Sequence, residues 1–313
     1  MADLGIIDRY DPAYSVEAFG LVNFGATCWF NAITQAILSI PALFETIGDI
    51  DKSNEFITAF CDLYDLEHKI RDPGALYRAL MQYGRGDGTG ISLRFGNGQE
   101  DAYEGFISMI TAFHNAKIES LFKHRYKKLL RCIQCENTSI TTHESNVFII
   151  HRNDFPNDAR LTDLSEYLLK HMIKISDFHC DKCDGHGALQ LEILCRIPSV
   201  LVIVDQTKYL NHESLIEWPK SVVVPVPKHE KLMYKIVATV EHSGSLSGGH
   251  YWTNAIRGRI DIDKFLRDDY ADNAMRLNDT SVTQLPLLDI TNTTYMVIYH
   301  VVDRFKFLKI KKI

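Results

Sequence analysis

The sequence predicts an α+β fold, and three observations carry that prediction. Helix-period apolar patterns fill the first third of the chain, and short strand-like runs dominate from about residue 120 onward. The two kinds do not alternate as a parallel α/β sheet would require. With 313 residues, 46% of them hydrophobic, the chain can bury one large core or two small ones.

Along the chain, residues 1–19 show no period and read as an N-terminal extension. Residues 29–40 read as a helix, because Phe30, Ile33, Ile37 and Ile40 recur at helical spacing, and Pro41 is expected to stop it. Further helix-like stretches cover about 55–83 and 99–115. Between them the glycines of 83–90 mark a mobile loop. The expected strands are 146–150, 189–194, 200–204, 221–226, 234–241 and 294–302. The end of the chain, 304–313, is a tail of lysines among apolar residues that reads as a solvated strand end.

The formal net charge is −6. An acidic chain has no general attraction for nucleic acid or anionic membrane, so a basic protein partner is expected. No apolar run reaches the roughly 18 residues of a membrane span. The start lacks the basic and apolar segments of a signal peptide, so the expectation is a cytoplasmic or nuclear monomer. Seven cysteines, an odd number, argue against a disulfide framework in a reducing compartment.

Four of the seven form two C-x-x-C pairs, Cys132/Cys135 and Cys180/Cys183. Each pair can aim two thiolates at one ion, so the four predict a closed, structural tetrahedral zinc site. His143, His179 and His186 lie near enough in sequence to replace a thiolate.

Cys28 stands alone, at the start of the expected helix, after Gly20-Leu21-Val22-Asn23-Phe24-Gly25-Ala26-Thr27. Unpaired N–H groups at a helix N-terminus favour a thiolate, which predicts a depressed pKa and a nucleophile; the alternative is a buried apolar cysteine. Asn23 can donate to an oxyanion on an attacked carbonyl, or simply support the turn at Gly25. Downstream, a strand leads into a glycine-rich loop ending Gly248-Gly249-His250-Tyr251-Trp252. His250 is the expected base, with His242 as competitor. Asn278 and Asp279 follow His250 and could orient the imidazole, although Asn-Asp-Thr taken alone is more often a turn. The chain order cysteine, histidine, asparagine is that of papain-like proteases.

Taken together, these segments resemble the ubiquitin-specific protease family. Residues 20–31 resemble its cysteine box, Gln99-Glu100-Asp101-Ala102-Tyr103-Glu104 its second box, and residues 234–251 its histidine box. Asn278-Asp279-Thr280-Ser281-Val282 and the strand from Thr294 to Tyr299 resemble its closing motifs. The resemblance covers about residues 20–302. It implies a papain-like catalytic domain over 20–303, with thumb, palm and a zinc-bearing fingers insertion within about 120–230. It implies Cys28 as nucleophile, His250 as base, Asn278 as orienter, Asp279 in support and Asn23 in the oxyanion hole. Asp101, Glu104, Gly249 and Tyr251 would contact the tail of ubiquitin or a ubiquitin-like protein, whose arginines suit carboxylates. The implied function is a thiol-dependent deubiquitinase. The alternatives are a protease for a ubiquitin-like modifier, a viral-type papain-like protease, and a catalytically silent ubiquitin-binding module. The chain departs from the family pattern at Trp29, at Asp205-Gln206-Thr207-Lys208 and at Trp252-Thr253-Asn254.

Overall fold

The structure is a computed structural model. It describes residues 16–48, 54–65, 68–86, 100–155, 159–207, 214–226, 230–245, 248–258, 264–265, 267–268 and 271–306. The first 15 residues, the end of the tail from 307, Gln99 of the second box and most of the glycine loop (87–90) lie outside these residues.

Helices come first, as the periodicity predicts. A short strand β1 (Gly20–Leu21) precedes α1 (Cys28–Ile37), α2 (Pro41–Gly48) and α3 (Glu55–Asp65). Strand β2 (Ile70–Arg71) pairs in parallel with β1, and α4 (Gly74–Gly86), α5 (Ala102–Ala112) and α6 (Ala116–Phe122) complete this lobe. Two expectations are corrected. Pro41 does not merely end the first helix; it opens α2, at the first helical position, where its missing N–H costs nothing. The stretch 55–83 is not one run of helix. It breaks before Pro73, and β2 fills the gap. The packed core also begins earlier than Gly20, since Val16 and Phe19 are buried in it.

Every residue of α1 is buried. One side lies against the large sheet, the other against α5. The contact with α5 is close because Gly105 faces Trp29. A Cβ there would fall 2.5 Å from the indole. A residue larger than glycine at 105 would have to push Trp29 aside, so the two positions are matched.

Strands follow: β3 (His124–Cys132), β4 (Thr138–Ser145), β5 (Phe148–His151), β6 (Lys170–His179) after helix α7 (Leu164–Leu169), β7 (His186–Arg196), β8 (Val200–Gln206), β9 (Ser221–Val226), β10 (Glu230–Ser245), β11 (Gly248–Ile256), β12 (Ala274–Asn278), β13 (Ser281–Gln284) and β14 (Thr294–Lys306). They build two main sheets. The palm has the order β13-β12-β11-β10-β14-β8-β5, with β9 also paired to β10. The fingers have the order β4-β3-β7-β6, all antiparallel. Both outer finger strands are open edges. Strand β4 is exposed along nearly its whole length, and β6 has a register shift between Ile175 and His179.

The palm is apolar on both faces, with Val202, Ile203, Val240 and Ile298 all buried. Among them sits the buried carboxylate of Glu241, which accepts hydrogen bonds from the hydroxyls of Thr291, Thr293 and Thr294 at 2.7–3.1 Å. No single helix among the described residues is long and apolar enough to cross a membrane.

Candidate active site and metal centre

Cys28 is the first residue of α1 and is 4% exposed. Thr27, before it, makes no side-chain cap; its hydroxyl donates to Asn23 Oδ1 at 3.1 Å and accepts from Phe24 N at 2.9 Å. The N–H groups of Trp29 and of Cys28 itself therefore act on the sulfur, as does the N–H of Tyr251 from β11. The expected depressed pKa is nonetheless corrected. Burial pushes the Cys28 thiol above its ordinary 9.0, and the Asp279 carboxylate adds to the rise against those N–H groups. At rest this is a thiol that needs a base.

His250 lies on β11, half-buried, and its Nε2 meets Asn278 Oδ1 at 2.5 Å. Since an amide oxygen only accepts, Nε2 carries the proton and Nδ1 keeps its lone pair. Asn278 is the last residue of β12, which pairs with β11, so the register of two adjacent strands fixes the couple. The Trp252 ring stacks beside the imidazole, 6.1 Å between centroids. Among the described residues His242 has no such partner. Its ring packs on Tyr251 at 4.4 Å, and a Cβ on Gly249 would fall 2.5 Å from its Nε2. Burial lowers its pKa, against the pull of Asp101. The glycine at 249 thus lets the loop lie over His242.

Asp279 takes a left-handed backbone at φ 47° and turns its carboxylate back toward the helix. It accepts from Asn23 Nδ2 at 2.8 Å and Asn31 Nδ2 at 2.7 Å, while its carbonyl accepts from Leu21 N at 2.8 Å. Asn23 also does what a turn asparagine does, because its Oδ1 accepts from Gly25 N at 2.9 Å. One amide N–H of Asn23 remains for another acceptor. Asn31 is a site residue that sequence reasoning left without a role, although its place three positions after Cys28 puts it on the same helix face.

The expected substrate contacts separate. Asp101 caps α5: it accepts from Tyr103 N at 2.7 Å and from the Tyr295 hydroxyl at 2.7 and 2.9 Å. Glu104 is exposed one turn on, and partial burial and the charges of Asp101 and Glu100 raise its pKa. Gly249 is exposed. Tyr251 turns inward instead, 6% exposed, with its phenol oxygen at the Ala102 N–H of α5. Its side chain is a strut between β11 and α5, and only its backbone N–H faces the sulfur.

At the far end of the fingers, Cys132, Cys135, Cys180 and Cys183 bring their sulfurs within 4.8 Å of one another. Cys132–Cys183 and Cys135–Cys180 are 3.8 and 3.7 Å apart. Zinc bonds of about 2.3 Å in a tetrahedron require about 3.8 Å between sulfurs, so the residues fit the ion. Each pair sits in the same kind of knuckle. Glu136 N donates to Cys132 O and Asp184 N to Cys180 O, and both Glu136 and Asp184 have positive φ. The N–H groups of Cys135 and Gln134 draw the Cys132 thiol down to about 6. The histidines stand aside: His179 and His186 pack on each other, and His143 packs on Tyr126.

Residues 19–299 match the sequence pattern of the family described as ubiquitin carboxyl-terminal hydrolase. Among curated relatives, the probable ubiquitin carboxyl-terminal hydrolase 8 of Schizosaccharomyces pombe is 19% identical, over 93% of this chain and 67% of its own length. Ubiquitin carboxyl-terminal hydrolase 8 of Saccharomyces cerevisiae is 21% identical, over 74% of this chain and 62% of its own. Human ubiquitin carboxyl-terminal hydrolase 9Y is 21% identical over 86% of this chain, which spans only 14% of that protein. Among solved structures, the SAGA DUB module of Ubp8, Sgf11, Sus1 and Sgf73 bound to monoubiquitin superposes with a TM-score of 0.65. That match is 20% identical and covers 94% of this chain and 70% of the other. The same module bound to ubiquitin aldehyde gives a TM-score of 0.62 at 16% identity, with the same coverage. At these identities the likeness speaks for the thumb, palm and fingers fold, and the sequence match speaks for descent: the chain belongs to the ubiquitin carboxyl-terminal hydrolase family, the deubiquitinating cysteine proteases.

Proposed function

We propose that the chain hydrolyses the bond after the C-terminal glycine of ubiquitin, with Cys28 as nucleophile. The observation that carries this reading is the bond from His250 Nε2 to Asn278 Oδ1 at 2.5 Å, with the Tyr251 N–H on the Cys28 sulfur. Asn278 holds the imidazole with Nδ1 bare, and Nδ1 takes the thiol proton as sulfur attacks the glycine carbonyl. The second amide N–H of Asn23 and the N–H groups at the start of α1 receive the oxyanion. The C–N bond breaks, and the imidazolium gives its proton to the leaving lysine amine. Water, deprotonated by His250, then cleaves the thioester and frees the carboxylate and the thiol. Asp279 keeps Asn23 and Asn31 in place.

Glu104, with Asp101 behind it, supplies negative charge for a basic substrate tail. Four thiolates, from Cys132, Cys135, Cys180 and Cys183, hold one structural zinc that ties the finger hairpins together. The catalytic unit is the domain that ends with β14, acting as a single copy on a protein conjugate. The test is to offer ubiquitin and ubiquitin-like proteins, each carrying a C-terminal electrophile, to the protein and to Cys28→Ala. Covalent capture of ubiquitin by the first alone is expected. Capture of a ubiquitin-like protein in place of ubiquitin would reassign the substrate, and capture by neither would refute the role of Cys28.

A further inference from the structure

A cavity of about 330 Å³ lies where the fingers meet the palm. Its position follows from the sheet register. The Thr253 hydroxyl donates to Ala32 O of α1, so Thr253 faces the thumb. Val240, Met296, Val204 and Ile149 follow it across the sheet as successive direct partners, and partners share a face. Phe148, next to Ile149, therefore faces away from the thumb and from Cys28. Phe148 lines the cavity, and the His124 ring stacks on it at 3.6 Å between centroids.

The chemistry of the lining is selective. Aromatic side chains come from Phe148, Tyr126 and Tyr167. Lys128 is the one lysine or arginine among the lining residues, and it is already paired with Glu192 at 3.2 Å. Glu192 also faces His171 at 3.4 Å and accepts from Gln190 at 2.8 Å. Asp154 remains. Its Oδ2 accepts from the Tyr167 hydroxyl at 2.9 Å and from His151 N at 3.1 Å, and its Oδ1 has no partner among the described residues. His124 is 1% exposed, and burial holds its pKa at about 4, so it adds a neutral ring and no charge. The unmet group is thus an acceptor, Asp154 Oδ1, the excess charge is one carboxylate, and aromatic side chains line the walls. Rings and a carboxylate suit a planar cation with several donors, better than a compact ammonium and against any anion.

We propose that this cavity is a second binding site, for the guanidinium group of an arginine in a peptide segment. None of Cys28, His250, Asn278 and Asp279 lines it, and it does not depend on the hydrolytic reading.

Titration calorimetry with the blocked tripeptide Gly-Arg-Gly tests it. Free arginine and the tripeptides with lysine or glutamine at the centre serve as comparisons. The arginine tripeptide is expected to bind at least about tenfold more tightly than the glutamine one, as a charge-assisted hydrogen bond implies. Asp154→Asn should weaken it about tenfold, and Tyr126→Leu should weaken it several-fold while the melting temperature holds. Cys28→Ala should bind it unchanged, which separates this site from the hydrolytic one. Equal binding of the arginine and glutamine peptides, or full binding by a folded Asp154→Asn protein, overturns the proposal. If Asp154→Asn does not fold, unchanged binding by Tyr126→Leu does the same. Free arginine binding as tightly as the tripeptide overturns the peptide as its source, and a tighter lysine peptide overturns the guanidinium.

Discussion

At the thumb–palm seam, residues as distant as Asn23 and Asp279 meet inside a continuous apolar core, and hydrogen bonds of 2.7–2.8 Å only trim their positions. At the fingers tip, Cys132, Cys135, Cys180 and Cys183 meet with little core around them, on strands whose neighbours β4 and β6 are largely exposed. The seam is held by burial, which costs the nucleophile its easy ionisation. The tip gathers four sulfurs with little burial, so the proposed zinc would hold it through chemistry among four side chains. A site can be fixed by the fold around it, or can itself fix the fold.

The largest expected effect falls on the seam and leaves its structure alone. Cys28→Ala should reduce ubiquitin hydrolysis by more than about a thousandfold, with ubiquitin binding and melting temperature nearly unchanged. A large loss of stability instead would mean that the sulfur is part of the packing.

Next in size is metal removal. A strong chelator, or Cys183→Ser, should release zinc and expose β3, β4, β6 and β7 to hydrogen exchange, because structural zinc contributes on the order of 10 kcal/mol. Alkylation of Cys28 by a small neutral reagent should continue. If the palm loses protection together with the fingers, the contrast between the regions fails.

Asp279→Asn sharpens the account of the seam. Removing its charge takes away one cause of the raised Cys28 pKa, so the midpoint of Cys28 alkylation against pH should move down from a value above 9.0. Turnover should still fall about tenfold or more, since Asn23 and Asn31 lose their common acceptor. An upward shift would reverse the electrostatic argument.

Asp101→Ala should cost about 1 kcal/mol of stability as a lost cap. If turnover of ubiquitin falls with small-reagent alkylation unchanged, Asp101 also serves the substrate tail; equal loss in both makes it a support of the seam alone. A further effect, absent at neutral pH, is on acid stability. His124 and His300 are buried with pKa values lowered from 6.5 to about 4. The unfolded chain takes up their protons first, so their contribution is complete above pH 6.5 and is lost as pH falls toward 4. Replacing His124 by Gln should flatten that part of the curve.

The contrast also explains what could be read from the sequence. The place of Cys28 at a helix start, the pairing of His250 with Asn278 and the clustering of the two C-x-x-C pairs were legible, because such patterns of residue types tolerate few others. Helices α1, α3, α4 and α5 were legible from period, whereas α2, α6 and the break before Pro73 were not. The finger strands β3, β4 and β6 were not: β4 is exposed along nearly its whole length, and the half-buried positions of β3 and β6 hold polar as well as apolar side chains, which blurs the alternation. The direction of the Cys28 shift was hidden for a different reason. A helix N-terminus is local, but burial and Asp279 reach the sulfur only through the tertiary fold. The inward turn of Tyr251 and the role of Asn31 depend likewise on partners more than a hundred positions away.

The open borders of the fingers carry one further consequence. A flat β-border offers its unpaired N–H and C=O groups to any other chain, and stacking of copies is the usual hazard. Strand β4 answers with polar side chains at every position except Ile140, and β6 answers with the irregular stretch between Ile175 and His179. Both devices resist accretion while leaving the sheet broad. Colloidal stability at high concentration should therefore hinge on these two strands, and Thr138→Val with Thr142→Val on β4 should promote self-association well before it alters catalysis.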